Sequence, residues 1–313
     1  MKKIIIIALL VILIGSIGFI IFRDNNAQQN VTKDNTLILG EGDWPGIRAK
    51  NAVLTTILEN IGYKVETTVT SEPLIYQGLA QDDIDIFVGN WMPAARKKVE
   101  AKKDKIDIVE NNMTGCVYTM GVPPYVKEAG VENFSDIDKY AEKFDHKIYA
   151  GKAGWDFAVK IKEAKKNDTY GLGDWEIITS SQSALMTTVK EAMKDNEWVA
   201  FCAWRPHWMA HMLDISFLGE PEGKIWNSIE SHVNTLTTDE FNKEFPEVYK
   251  FLKQLNIKME SANKWIYDLG WEKKKEKEIA QKWVKNNIAT IAEWLKGVKT
   301  PEGKKAITVL KNN

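Results

Sequence analysis

Cysteine and histidine are scarce in this 313-residue chain: two of the first, Cys116 and Cys202, and four of the second. Two cysteines exclude a disulfide-built scaffold, and because both sit inside apolar strand-like runs they read as buried free thiols. Neither lies in a nucleophile signature. The histidines with helical spacing, His207 and His211 in "HWMAH", lack the glutamate of a zinc-hydrolase helix, so they read as structural side chains. "YGLGDW" has Gly-x-Gly but neither the third glycine nor the preceding strand of a dinucleotide site, and reads as a turn. No catalytic residue, no metal and no cofactor is therefore expected. An excess of one charge is missing too: 42 basic and 43 acidic side chains leave a net charge of -1. No field advertises a polyanion, and nucleic acid is rejected as a partner.

Long apolar runs are absent except at the start, where Ile4 to Phe22 lies between Lys2-Lys3 and Arg23-Asp24. Its length approaches the ~20 residues that cross a bilayer as a helix, no A-x-A cleavage site follows it, and no lipoprotein-type cysteine is present. Residues 1–23 are expected to be a signal anchor, with a cleaved signal peptide as the alternative. The polar stretch 24–35, "DNNAQQNVTKDN", is expected to be a flexible linker. The remainder then lies outside the cytoplasm, attached to the cell membrane or, after cleavage, secreted or periplasmic.

From Thr36 short apolar runs alternate with helix-period segments: Leu37 to Leu39, a helix over Ile47 to Asn60, Tyr63 to Val69, Pro73 to Ala80, and Ile84 to Val88. This rhythm predicts an α/β lobe with a mainly parallel sheet. It restarts near Tyr118 with "YTMGVP", "KIYAG", "GDWEIITSSQSALMTTVKEAMKD" and "WVAFCAW", which predicts a second lobe. The expected division is 36–119 for the first part of lobe 1, 120–204 for lobe 2 and 205–313 for the mostly helical rest of lobe 1. Helical spacing over 239–254 and 272–296 reads as amphipathic cover for a sheet. Gly42-Asp43-Trp44 and Gly173-Asp174-Trp175 hint weakly at related lobes.

Twelve tryptophans are too many to treat alike. Those at 265, 271, 283 and 294 fall in the helical C-terminal part, where packing is the default, and Trp175, Trp198 and Trp226 carry no distinctive neighbours. Trp44, Trp91, Trp155 and Trp204 share another setting. Each stands at the carboxyl end of a strand-like run, before a helix or a proline-marked turn, the edge at which open α/β sheets bind ligands. Indole faces attract cations, and a quaternary ammonium, weakly hydrated and without N–H donors, suits such faces better than it suits carboxylates.

In this setting the sequence resembles the substrate-binding proteins of glycine betaine, proline betaine and choline ABC transporters. The resemblance runs over residues 36–300 and is carried by "DWPGIRAKNAVLTTILENIGYKVE", "DIFVGNWMP", "MTGCVYTMGVP", "KIYAGKAGWDF", "GLGDWEIITSSQSALM" and "AWRPHWM". It implies a type II periplasmic-binding-protein fold, two α/β lobes with a ligand cleft between them, and an ABC permease as partner. By the same resemblance Trp44, Trp91 and Trp204 match the cage for a trimethylammonium head, and Tyr118 matches a cage aromatic of the choline-binding branch. The loop matching Gly154 to Phe157, with Asp156 and Phe157, offers backbone N–H groups to a ligand carboxylate. Arg96 stands where a histidine is common and supplies a cation for that carboxylate. Trp155 replaces a small or amide residue, Asp156 suits a ligand hydroxyl better than a carboxylate, and Gly46 replaces an acidic residue of the choline branch. Arg96 favours glycine betaine; choline and trimethylamine N-oxide are the alternatives, and a sugar-binding module is the remoter rival.

Overall fold

The computed structural model describes residues 35–226 and 230–312, apart from the side chains of Ala210 and His211. The expected anchor and linker, residues 1–34, lie outside the described residues. Strand β1 (Thr36–Glu41) leads into helix α1 (Pro45–Asn60), whose first residue is a proline where no intrahelical N–H partner is needed. Ile47, Leu54, Ile57 and Leu58 recur at helical spacing and are buried, so periodicity fixes the face that α1 lays on the sheet. Then come β2 (Lys64–Val69), helix α2 (Glu72–Ala80), β3 (Ile86–Met92) and the short helix α3 (Arg96–Glu100). The second set has β4 (Ile106–Val122), β5 (Lys147–Gly151), helix α4 (Asp156–Lys166), β6 (Glu176–Thr179), helix α5 (Gln182–Lys194) and β7 (Ala200–Arg205). A two-residue strand β8 (Ser216–Phe217) and β9 (Glu230–Thr238) complete the sheet, which runs β2-β1-β3-β9-β4-β7-β5-β6 with β8 on β4.

The order has an internal symmetry. Parallel β2-β1-β3 at one end is mirrored by parallel β6-β5-β7 at the other, and the antiparallel pair β4 and β9 joins them. Each end buries its own core: one from Leu37 to Cys116 and again from Val233 to Leu310, the other from Met120 to Trp226, including Met209 and Leu218. Two α/β lobes bridged by two crossover strands make a type II binding-protein fold. Within β4 the register against β9 slips at three places between Ile108 and Cys116, and Gly115 takes φ +72 with open space around the missing Cβ. That left-handed φ favours glycine.

Several elements differ from the sequence expectation: β4 begins at Ile106 instead of near Tyr118, and the helical stretch 239–254 breaks at Phe245. β9 reads "ESHVNTLTT", which shows no apolar period. Yet it lies between β3 and β4 because its polar groups find buried partners: Asn234 accepts from Asn90 at 3.3 Å and Thr235 from Asn112 at 3.0 Å. The helical stretch 272–296 breaks at Asn287 into Glu276–Asn286 and Ile288–Trp294, where Trp283 and Trp294 stack at 5.5 Å. Cys116 and Cys202 are free and buried, as expected. Among the described residues no helix is long and apolar enough to cross a membrane.

Candidate functional site

Equivalent positions of the two lobes carry the four selected tryptophans. Trp44 and Trp155 are the residues immediately before α1 and α4, each extended, each following the middle strand of its lobe's parallel trio. Trp91 and Trp204 stand near the ends of β3 and β7, two residues before Pro93 and Pro206, which close the strands because proline has no N–H for the ladder. In each lobe a glycine lets the first ring fold back over the chain: a Cβ on Gly42 would fall 1.7 Å from Trp44 Cζ3, and one on Gly151 would fall 2.5 Å from Trp155 Cε3. The repeat thus equates Trp44 with Trp155. Trp175, of the second Gly-Asp-Trp, is instead fully buried, its indole N–H donating to Asp138 at 3.1 Å.

All four rings meet on one small cavity of about 40 Å³, lined by Trp44, Glu72, Trp91, Tyr118, Trp155, Asp156 and Trp204. Trp155 meets Trp204 edge to face at 5.3 Å, and Tyr118 meets Trp91 at 5.7 Å and Trp204 at 6.5 Å. Trp226 stacks behind Tyr118 at 6.0 Å, and its indole N–H donates to the Tyr118 carbonyl at 2.7 Å, a support that the sequence did not single out. Phe157 is fully buried behind the cavity wall, and its backbone N–H donates to the Tyr118 hydroxyl at 3.2 Å.

His207 backs Trp204 at 4.6 Å. Burial lowers its pKa to about 3, and its Nδ1 accepts from the Met209 N–H, so it is a neutral packing group. Its helical partner in the sequence motif, His211, lies outside the described side chains. Among the described residues no cluster of three or more His, Cys, Asp or Glu could hold a metal ion.

Arg96 is not brought to this cavity. It is exposed and lines a separate hollow with Lys97, Lys160 and Lys224. The reason is helical geometry: residues two apart face away from each other, so α3 turns Arg96 outward and Lys98 inward. Lys98 Nζ lies 3.0 Å from both Glu72 Oε1 and Asp156 Oδ1. Glu72 and Lys98 come from the first lobe and Asp156 from the second, so the cluster spans the cleft. Burial, reinforced by Asp156, pushes the Glu72 carboxyl up to about 7 against the opposing pull of Lys98. Sequence reasoning missed both residues, although "SEP" at 71–73 places an acid at a helix start just after a strand, as "WDF" does at Asp156.

A buried lysine lies behind the rings. Lys50 shares a small cavity with Trp44, Trp91 and Trp204, and its amine donates to the Val88 carbonyl and to Asn112 Oδ1, both at 2.8 Å. Burial lowers its pKa to about 7.

The chain is similar to known solute receptors over most of its length. An ABC-transporter choline binding protein in complex with choline superposes with a TM-score of 0.85 at 28% identity, covering 90% of this chain and 98% of that one. The glycine betaine, L-proline ABC transporter binding protein of Borrelia burgdorferi superposes with a TM-score of 0.79 at 26% identity, covering 88% and 99%. The glycine betaine/carnitine transport binding protein of Listeria monocytogenes is 26% identical over 162 residues, 52% of this chain and 53% of that protein, about half the length of each. The family sequence model described as the substrate binding domain of ABC-type glycine betaine transport system matches residues 35–286, and to that family the chain belongs.

Proposed function

We propose that this chain captures glycine betaine or a related quaternary ammonium solute outside the cytoplasm and delivers it to an ABC permease. One observation carries the reading: four indoles and a phenol, drawn from both lobes, share a single cavity with two carboxylates. Each aromatic contact to a desolvated cation is worth ~0.5 to 2 kcal/mol, so several contacts give useful affinity without covalent chemistry. Because Trp44 and Trp91 belong to one lobe and Trp155 and Trp204 to the other, the full box exists only when the lobes are together. Ligand then stabilises the closed state by its differential affinity, and the permease reads that state. The crossover strand β4, with its slipped register and Gly115, is where the bend is expected. Tethering through residues 1–23 belongs to the same proposal and rests on the sequence; it would raise the local concentration beside the permease.

Calorimetric titration of the protein with glycine betaine, choline and trimethylamine N-oxide, with maltose as an uncharged control, tests the reading. Trp91→Ala or Trp204→Ala should keep the fold and weaken the ammonium ligand at least ~10-fold, since one lost wall removes over ~1 kcal/mol. Arg96→Ala should leave affinity within about twofold, because the side chain lies off the cavity. A response to maltose alone, or full affinity in both tryptophan variants, would sink the assignment.

A further inference from the structure

The cavity offers its ligand an unbalanced charge. Its lining provides ring faces, two carboxylates and one hydroxyl, that of Tyr118, and no lysine, arginine, histidine or amide side chain. Lys98 touches both carboxylates from behind and does not itself line the space. With Glu72 and Asp156 ionised, one ammonium and two carboxylates leave the cluster with a single negative charge. Side-chain exposures of 13% for Glu72 and 10% for Asp156 give water little chance to compensate it, and a buried uncompensated charge is costly. A ligand that is a simple cation brings the total to zero. A zwitterion leaves the total unchanged and sets its own anionic group beside two others, with no cation in the lining to meet it.

We propose that the Glu72–Lys98–Asp156 cluster makes this site select a permanently monocationic quaternary ammonium bearing a hydrogen-bond donor, an ammonium alcohol, over zwitterions of the betaine or N-oxide kind. The inference rests on the aromatic box holding the ammonium head, as proposed above. Within it Glu72 and Asp156 are specificity-determining residues. The ring faces hold the trimethylated nitrogen, and a carboxylate accepts the ligand's hydroxyl proton in a hydrogen bond stronger than a neutral pair makes. Lys98 is a positioning residue that fixes the distance between the two carboxylates across the cleft.

The test is titration calorimetry on the full chain with choline, glycine betaine and trimethylamine N-oxide at pH 8, above the raised value of the Glu72 carboxyl. Choline should bind at least ~10-fold tighter than either zwitterion. Glu72→Gln keeps the shape and removes the net charge, so choline should weaken at least ~10-fold while its ratio to glycine betaine falls below about threefold. Asp156→Asn should shift the ratio in the same direction and serves if the first variant does not fold. Wild-type protein that binds glycine betaine or the N-oxide as tightly as choline overturns the selection and leaves the aromatic box standing. A choline-to-betaine ratio unmoved in a folded Glu72→Gln or Asp156→Asn protein overturns the role of the cluster. Failure of all three ligands to bind wild type overturns the box as well.

Discussion

Two buried groups with opposite chemistry have pKa values shifted to about 7, Glu72 in the lining of the ring cavity and Lys50 in a second small cavity behind the same rings. Glu72, pushed up to about 7 by burial and by Asp156, gains negative charge as pH rises through that value. Lys50, brought down to about 7 by burial, loses positive charge over the same interval. Both changes favour a bound cation, so choline affinity should rise at least ~3-fold from pH 6 to pH 8 and should rise less in Lys50→Met, as read by calorimetry. The signs for stability differ. Glu72 holds its proton longer folded than at its ordinary value of 4.5, so its contribution to stability without ligand falls as pH rises from 4.5 to about 7. Lys50 sheds its proton sooner folded than at its ordinary 10.5, so its contribution rises from about pH 7 to 10.5. None of this was legible in the sequence. The tryptophans were, because the end of a strand-like run is a local pattern, and Asp156 was named through the family resemblance, whereas Lys98 and Glu72 acquire meaning only through their contact with Asp156 across the cleft. Arg96, expected beside a ligand carboxylate, stands on the outward side of α3 and off the ring cavity.

At the scale of elements, what aims the box is the step from a strand to the helix after it. Gly42 precedes Trp44 so closely that any Cβ there would overlap the indole. Gly42→Ala should therefore swing the ring out of the box and cost at least ~10-fold in ligand affinity, near the loss for removing an aromatic wall. A melting temperature that holds while affinity drops would locate the effect in the ring, and unchanged affinity would show that Trp44 is not aimed by this packing. The alternating elements up to Val88 were readable because apolar residues there follow periods of two and of three to four. The long strand β4 was read only from Tyr118 onward, and β9 was not read as a strand. β9 crosses the middle of the sheet with Asn234, Thr235, Thr237 and Thr238 buried; Asn234 and Thr235 pair with Asn90 and Asn112 inside the core, and hydrophobic patterning has nothing to report of such a strand.

For the whole molecule, the symmetry of β2-β1-β3 and β6-β5-β7 means that each lobe contributes one ring at a helix start and one at a strand end. Neither lobe holds a complete site. The ionic contacts across the cleft follow the same rule: Lys98 reaches Asp156, Lys152 pairs with Asp43, and Lys97 lies 3.7 Å from Glu163. The last two are largely exposed and contribute little, whereas the first is sheltered beside the indoles. Dissolved salt reaches these contacts unequally. At about 1 M ionic strength the screening length shrinks to ~3 Å, which erases attraction between surface charges and touches buried ones much less. Affinity for the ammonium ligand should then stay within about threefold between ~0.1 and ~1 M sodium chloride, and a loss beyond ~10-fold would mean that exposed charges hold the ligand. With the indoles and the sheltered Lys98–Asp156 contact at one cavity, added salt acts on the exposed rim of the cleft and little on the ligand's own contacts, so the receptor would hold its cargo in concentrated media.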